Sequence, residues 1–274
     1  MAHEVDRFDD PAAALSAAYD HLASRPAEHN LILTLLWARV TSAEPGRYWL
    51  VRGGPDVVGV GFLSPIGFFV TLTPMPADAV DALAAAVAAD GVAVAGVTGE
   101  AAAAARFAGQ WTEIRGTAAL PDMGMRIYRL GELDPPTGVP GHLRVATMDD
   151  CDVVLGMIDG FHRDTGEPGV AAPGVHEARI EAGAYVLWDD GGPRALAGRT
   201  EPVEGTSRVY AVFTAPEWRR RGYAGAAVAE LSAWIRADGA DAMLFTDLGN
   251  PISNSVYRRI GYRAVAENLR YRFA

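Results

Sequence analysis

The chain has 274 residues and a formal net charge of −10, from 34 acidic residues and 24 basic ones, all of which are arginine. Because lysine is absent, Schiff-base lysine chemistry, a phosphate-loop lysine and a lysine general base are excluded. The acidic balance argues against nonspecific nucleic-acid binding. The single cysteine, Cys151, allows neither an internal disulfide nor a multi-thiolate metal site, which indicates a cytoplasmic protein. No run approaches about 20 uninterrupted apolar residues, so no membrane association is expected.

A segment rich in proline and glycine divides the sequence nearly in half. Residues 131–141 contain three prolines and three glycines, a composition that continues neither a helix nor a central strand. We therefore predict an N-terminal domain over residues 1–130, a linker over 131–141 and a C-terminal domain over 142–274.

The first half alternates helical and strand-like patterns. Apolar positions at helical spacing predict the helices, and runs of β-forming residues bounded by Gly and Pro predict the strands. The predicted elements, in chain order, are helices over 11–23 and 30–40, strands over 48–52, 57–63 and 67–73, a helix over 77–89, a strand over 92–97, a helix over 100–110 and a strand near 125–130.

The second half repeats this order. The predicted elements are a strand over 143–146, a helix over 148–161, strands over 185–188, 194–199 and 208–214, a helix over 223–237, a strand over 242–246, a helix over 253–260 and strands over 262–267 and 269–273. The first two strands after 184 and the last two strands of the chain are predicted to form hairpins, the last one turning at Asn268. The repeated order predicts an α/β fold with mixed sheets, built twice.

The turn between the strand at 208–214 and the helix at 223–237 is the most informative segment. Gly222 lets the backbone approach a ligand closely, and the free N–H groups of the following helix point at that ligand. The helix dipole and a run of three arginines add positive charge. The pattern predicts a pyrophosphate site, although an ordinary basic surface turn would read the same. It lacks both the paired glycines of a dinucleotide fingerprint and the Gly-Lys of a nucleotide P-loop.

Two ordered motifs lie in the second half, Arg219-Arg-Arg-Gly-Tyr-Ala224 and Asn250-Pro-Ile-Ser-Asn-Ser-Val-Tyr-Arg-Arg-Ile-Gly-Tyr262. Together they resemble the GNAT superfamily of acyl-CoA-dependent N-acyltransferases. The first matches its acyl-CoA signature, (Arg/Gln)-x-x-Gly-x-(Gly/Ala), and the second matches its next element, Asn-x-x-Ser-Asn-x-x-Tyr-x-(Arg/Lys)-x-Gly-(Phe/Tyr). Within the superfamily, the chain resembles most the predicted bacterial acetyltransferases that carry two domains in tandem. The resemblance implies two tandem GNAT-like domains, with acetyl-CoA as cosubstrate and no metal.

The resemblance also implies a role for each matched position. Strand backbone would hold the pantetheine arm, and one N–H near Val212 would polarise the thioester carbonyl. Asn254 would anchor the arm, and the Tyr257 hydroxyl would protonate the leaving thiolate, since a phenol with a pKa of about 10 stays protonated at neutral pH. The alternative interpretation of Tyr257 is a packed core aromatic beside Ile260. The predicted cofactor-binding residues are Val212, Phe213, Thr214, Arg219, Arg220, Arg221, Gly222, Tyr223, Ala224, Gly225, Asn250, Asn254 and Tyr257.

The sequence identifies no general base. The strand position that often carries a Glu in this superfamily reads Tyr210-Ala-Val212 here, and the amine could lose its proton to water. Cys151 lies between Asp150 and Asp152, which disfavour its thiolate, so we do not expect a nucleophilic cysteine. The candidates for a base, each also compatible with a surface or turn position, are His162, Glu167, Glu201 and Asp247.

The first half departs from the acyl-CoA signature at the equivalent turn. Residues 72–81 contain no glycine and no arginine, and two prolines there lack an N–H donor. Asp78 and Asp81 would occupy the positive end of the helix dipole and repel a phosphate. We therefore predict that the first domain keeps the fold but has lost acyl-CoA binding.

These observations predict an enzyme that transfers an acetyl group from acetyl-CoA to a primary amine by direct attack in a ternary complex. The absent base leaves one alternative, a noncatalytic acyl-CoA-binding regulatory module. The acceptor is expected to be a small-molecule or peptide amine, and the acidic first domain is compatible with a cationic one. Residues 166–175, rich in glycine and proline, are expected to form a lid. Exposed apolar positions would suit a homodimer.

Overall fold

A computed structural model describes residues 3–42, 44–166 and 173–274 of the chain. Residues 167–172 of the predicted lid, which include the candidate base Glu167, lie outside the described residues. The chain forms two compact units, which are not continuous segments. The first contains Met1–Ile127, Asp247–Gly249 and Ala264–Ala274, and the second contains Tyr128–Thr246 and Asn250–Arg263. The predicted division into two continuous domains with a linker therefore stays a prediction. In the structure, the C-terminal segment Ala264–Ala274 belongs to the first unit.

The first unit is a mixed sheet with helices packed on it. Its strands lie in the order β1-β2-β3-β4-β5-β12, and its core is formed by β-sheet residues such as Trp49 and Val70 and by helix residues such as Leu83 and Phe107. The elements are β1 (Glu4–Phe8), α1 (Pro11–Ala23), α2 (Asn30–Val40), β2 (Arg47–Gly53), β3 (Asp56–Leu63), β4 (Phe69–Leu72), α3 (Ala77–Asp90), β5 (Gly96–Glu100), α4 (Ala101–Arg115), most of β6 (Ala119–Leu130) and most of β12 (Tyr262–Phe273).

The second unit repeats this architecture. Its strands lie in the order β11-β10-β9-β8-β7, with a helix on each face. One face packs on the apolar side of the helix over Tyr223–Ala237, through residues such as Val228 and Leu231, and the other packs on the helix over Cys151–Thr165, through Val154 and Ile158. The elements are β7 (His142–Val145), α5 (Cys151–Thr165), α6 (Val175–Glu181), β8 (Tyr185–Asp189), β9 (Pro193–Arg199), β10 (Thr206–Thr214), α7 (Tyr223–Ala237), β11 (Asp241–Asp247) and α8 (Pro251–Arg259).

Three of the predicted helices have the bounds that the structure shows. The predicted helices over 11–23, 30–40 and 223–237 match α1, α2 and α7. Asp10 caps α1, its carboxylate accepting hydrogen bonds from the N–H groups of Ala12 and Ala13. Glu100 caps α4 in the same way, so the predicted helix over 100–110 begins one residue later and extends to Arg115.

The C-terminal hairpin predicted around Asn268 is wrong. Residues 262–273 form the single strand β12, in which Asn268 pairs with Glu100 and Arg272 pairs with Gly96. A lone Asn without a neighbouring Gly does not enforce a reversal when the flanking β-forming residues can continue a ladder. The strand predicted over 92–97 is displaced to Gly96–Glu100, and the short elements β1 and α6 were not predicted.

Among the described residues, no helix is both long and apolar enough to cross a membrane.

Candidate functional site

Strands β10 and β11 separate part of the way along their length. Their parallel ladder runs from Thr206–Asp241 to Val209–Leu244, although β10 continues to Thr214 and β11 to Asp247. The register of β10 with β9 shifts between Tyr210 and Phe213, and Ala211 takes a positive φ of 49°. These are the marks of a β-bulge, which bends the strand away from its neighbour. The result is a backbone edge over residues 210–214 that faces a gap in the sheet.

The predicted pantetheine-binding residues lie on this edge. Val212 and Thr214 are half-buried and Phe213 is buried. The Thr214 hydroxyl oxygen is buried and finds no hydrogen-bond partner among the described residues. A buried hydroxyl left without a partner costs about 1–3 kcal/mol, so the edge suits an extended ligand that carries amide donors and acceptors.

Helix α5 supports the same strand through an unusually close approach. A Cβ on Gly160 would lie 2.4 Å from the Phe213 ring, so only glycine lets the helix pack against the ring. The Phe213 side chain is thereby held under α5, and the bulged strand keeps its conformation.

The turn before α7 leaves the first N–H groups of the helix without partners inside it. A short 3-10 turn over Pro216–Trp218 precedes two residues with positive φ, Arg220 at 64° and Gly222 at 88°. Gly222 caps α7 without a side-chain hydrogen bond, and the first backbone bond of the helix is donated by Ala226 to the Gly222 carbonyl. The N–H groups of residues 223–225 therefore have no acceptor inside the helix. Consecutive N–H groups of this kind at a helix N-terminus bind anions, and we call residues 219–225 the predicted anion cradle.

The three arginines of this turn are used differently. Arg219 donates to the Thr214 carbonyl at 3.0 Å and forms an ion pair of 2.5 Å with Asp164, so it secures the turn. The Arg221 guanidinium lies 4.7 Å from the centre of the Trp218 ring. Arg220 is exposed and makes no ion pair within the described ranges. The positive charge offered to an anion therefore comes chiefly from Arg220 and Arg221, together with the helix dipole.

Tyr223 fixes the first turn of α7. It is 2% exposed, and its hydroxyl donates to the Asp190 carboxylate at 2.6 Å. The predicted cradle residues Ala224 and Gly225 follow on the same turn, with Gly225 buried. Tyr223 thus acts through its side chain as an anchor of the helix end, while its backbone N–H stays available.

Helix α8 carries the second predicted motif. The Asn250 side chain caps it by accepting from the Ser253 N–H at 3.0 Å. Asn254 is 4% exposed, accepts from the Tyr128 hydroxyl at 3.0 Å and donates to the Asn250 carbonyl at 2.8 Å. These bonds already hold the Asn254 side chain within the protein, so its predicted contact with the pantetheine arm stays a prediction.

Tyr257 lies one turn further along α8 and is 8% exposed. Its ring contacts those of Tyr128 and Tyr262, with centroids 6.4 and 6.2 Å apart. Burial raises the pKa of Tyr257 to about 12. Its hydroxyl makes no hydrogen bond within the described part of the chain, which leaves the proton available to a ligand.

The candidate bases lie in different surroundings. Glu201 is exposed, and Asp247 accepts from the Gly249 N–H at 2.7 Å in a turn. His162 lies on α5, its Nδ1 buried and without a partner among the described residues. Burial, Glu177 and Asp152 raise the pKa of the Cys151 thiol, which agrees with the expectation that it is no nucleophile.

A polar cluster beside β10 was not found from the sequence. The Tyr185 hydroxyl lies 2.8 Å from His176 Nδ1, and the Tyr185 and Tyr210 rings meet edge to face at 5.8 Å. Tyr210 occupies the position where the superfamily often carries Glu, which was the only sequence signal for it. His176 lies on the unpredicted helix α6 and Tyr185 on β8, so only the fold brings the three side chains together.

The equivalent region of the first unit is closed. All four residues of β4 pair with β5, up to Leu72 opposite Gly99, so no gap comparable to that between β10 and β11 opens. In the first turn of α3, Asp78 pairs with His3, and Asp81 follows it and pairs with Arg106. These carboxylates stand where an anion would bind.

One prediction concerns the structural role of Asn254. Replacing Asn254 with alanine leaves the buried Tyr128 hydroxyl without its acceptor, so we expect a loss of stability of about 1–3 kcal/mol. Urea unfolding followed by circular dichroism measures it as a lower midpoint. In the double variant Asn254→Ala/Tyr128→Phe, part of this loss should be recovered, because the unpaired hydroxyl is gone. An unchanged midpoint together with weaker CoA binding would show that Asn254 serves only the ligand.

A family model and several solved structures are similar to this chain. Residues 189–271 match the family model of FR47-like protein. A GNAT-family acetyltransferase from Colwellia psychrerythraea superposes with a TM-score of 0.65 at 10% identity, covering 99% of this chain and all of the other. A GCN5-related N-acetyltransferase from Sphaerobacter thermophilus gives 0.64 at 16% identity, covering 98% and 95%. No match was found among curated protein sequences.

A tandem GNAT protein from the clavulanic acid biosynthesis pathway is similar over 99% of this chain and 98% of its own, with a TM-score of 0.55 at 12% identity. The predicted fold class and the predicted resemblance to the GNAT superfamily are therefore confirmed. The protein has a mixed α/β GNAT-like fold with two units, of which the second carries the gap between β10 and β11 and the predicted anion cradle.

Proposed function

We propose that the protein transfers an acetyl group from acetyl-CoA to a primary amine. The observation that carries the proposal is the combination, in the second unit, of the gap between β10 and β11 with the free N–H groups at the start of α7. The gap offers a strand edge to an extended arm, and the turn offers donors to a pyrophosphate. Acetyl-CoA contains both groups, joined in one molecule.

The reaction proceeds by direct attack in a ternary complex. The amine nitrogen forms a bond with the thioester carbon, and the carbonyl oxygen becomes an oxyanion that a backbone N–H near Val212 stabilises. The C–S bond then breaks, and the Tyr257 hydroxyl supplies a hydrogen bond and a proton to the departing sulfur. No covalent acyl-enzyme is needed, in keeping with a protonated Cys151.

The second candidate function is a noncatalytic acyl-CoA-binding module. It is favoured by one observation, the absence of a carboxylate at residues 210–212 of β10. Such a module would bind acyl-CoA with the same cradle and release no CoA when an amine is added.

Binding and turnover together test the proposal. Among the described residues, the gap and the predicted anion cradle lie in the second unit, so we expect isothermal titration of acetyl-CoA to give one equivalent per chain. We also expect free thiol to appear when the complex is mixed with spermidine, an aminoglycoside or a peptide with a free N-terminal amine. Binding without thiol release from any amine would favour the noncatalytic module. Two equivalents would contradict the loss of binding in the first unit.

A further inference from the structure

The hairpin of β8 and β9 contacts the turn before α7 at two places. Trp218 lies just before the predicted anion cradle, and the Arg194 guanidinium of β9 lies 3.7 Å from the centre of its ring. Tyr223 lies within the cradle, and its hydroxyl donates to the Asp190 carboxylate at 2.6 Å. The tip of the hairpin therefore supports the cradle with side chains that lie outside the motif that predicts it.

Arg194 is held in place by backbone carbonyls of the same hairpin. Its Nε donates to the Asp190 carbonyl at 3.0 Å, and its Nη2 donates to that carbonyl at 2.8 Å and to the Gly191 carbonyl at 3.1 Å. Because a guanidinium is planar and rigid, these three hydrogen bonds fix its orientation. The half-buried Trp218 ring therefore packs against a fixed cation.

Trp218 also contacts Arg221, which belongs to the cradle. The Arg221 guanidinium lies 4.7 Å from the centre of the Trp218 ring, within the range of a cation–π interaction. A guanidinium that stacks on a ring uses its flat face and keeps its N–H donors, which lie in the plane, for an anion. Because Arg221 is exposed, these donors are accessible to a ligand at the cradle.

The shared ring reduces the cost of binding an anion. An exposed arginine samples many side-chain conformations, and ordering it on binding weakens the affinity. The contact with Trp218 restricts Arg221 before the ligand arrives, and Arg194 keeps the Trp218 ring in position. A bound anion also offsets the repulsion between the two guanidiniums that contact one ring.

We propose that Arg194 and Trp218 are positioning residues that hold the Arg221 guanidinium in place for the phosphates of acetyl-CoA. The inference rests on the proposed binding of acetyl-CoA and concerns the same site. Arg221 touches the cosubstrate, whereas Arg194 and Trp218 act through it. Pantetheine, the part of CoA that carries no phosphate, should bind independently of all three.

Isothermal titration with CoA and with pantetheine tests the proposal. We expect Arg194→Gln and Trp218→Leu each to weaken the Kd for CoA by about 5- to 10-fold and to leave the Kd for pantetheine unchanged. Trp218→Phe keeps an aromatic face for both guanidiniums and should retain most of the affinity for CoA. Arg115→Gln removes a guanidinium that lies 5.5 Å from the Trp111 ring in the first unit. It is the matched control and should change neither Kd.

A double-mutant cycle separates positioning from direct contact. If Arg194 acts through Arg221, Arg194→Gln should cause no further loss of CoA affinity once Arg221→Gln is present. Additive losses would mean that Arg194 contacts the phosphates itself, and the positioning role would be wrong.

The outcomes also separate the positioning role from the function on which it rests. A wild type that binds no CoA overturns the proposed function and the positioning role together. Wild-type affinity for CoA in both Arg194→Gln and Trp218→Leu overturns the positioning role alone. An equal loss for CoA and pantetheine, with a lower thermal midpoint, assigns the two side chains a structural role in the turn and also overturns the proposal.

Discussion

Gly222→Val is expected to abolish CoA binding. Gly222 has a φ of 88°, which costs a β-branched residue about 1–3 kcal/mol, and a new Cβ would lie 3.0 Å from the Val139 side chain. The turn must therefore shift, and the N–H groups of residues 223–225 lose their common direction. Losing two charge-assisted hydrogen bonds of about 1.5–3 kcal/mol each weakens binding by at least about 100-fold. Isothermal titration with CoA measures the loss.

Gly239 provides the matched control for Gly222→Val. It lies just beyond the C-terminal end of the same helix with a φ of 83°, and a Cβ there would meet nothing within 4 Å. Gly239→Val thus imposes the same backbone strain far from the cradle, and we expect a similar drop in the thermal midpoint with unchanged CoA affinity. If Gly222→Val binds CoA as tightly as Gly239→Val does, the cradle is assigned to the wrong turn.

The helices of this fold are largely readable from the sequence because their information is local. Helix α7 has an apolar face at helical spacing and a glycine before its first residue, and its predicted range matches the structure. The end of a ladder is different, because alternation along one strand does not record where its neighbour departs. The gap beyond Val209 and Leu244 was therefore not predictable from the two strands themselves.

The candidate site also has one part that is local in the sequence and one part that only the fold brings together. The predicted anion cradle lies within seven consecutive residues, 219–225, so a sequence motif is enough to predict it. The cluster of Tyr210, Tyr185 and His176 joins β10, β8 and α6, and α6 itself was not predicted. Its side chains share no sequence spacing that points to a common function. What the sequence did show was a missing carboxylate on β10, and the fold places a phenol and its partners at that position.

Tyr257→Phe is expected to lower kcat by about 100-fold, which is near the lower end of the rate contribution of general acid catalysis. The size follows from the pKa of Tyr257, about 12. A thiol has a pKa of about 8.5, so full transfer to a free thiolate is uphill by about 5 kcal/mol. Tyr257 therefore acts chiefly by donating a hydrogen bond as the C–S bond breaks. Because it stays protonated below pH 10, it should add no alkaline limb to the wild-type profile, and stopped-flow or thiol-release assays measure both effects.

Tyr262→Phe separates this role from packing. The Tyr262 side chain is fully buried and its ring contacts Tyr257, but its hydroxyl is bonded to Ser232 at 2.7 Å. Removing that hydroxyl should cost about 1 kcal/mol of stability and leave kcat unchanged. Tyr257→Phe should leave the stability unchanged and lower kcat, since the Tyr257 hydroxyl makes no hydrogen bond among the described residues. Equal kcat for wild type and Tyr257→Phe across the pH range would remove Tyr257 from the mechanism, and sulfur would then leave as the thiolate, with water as the proton donor.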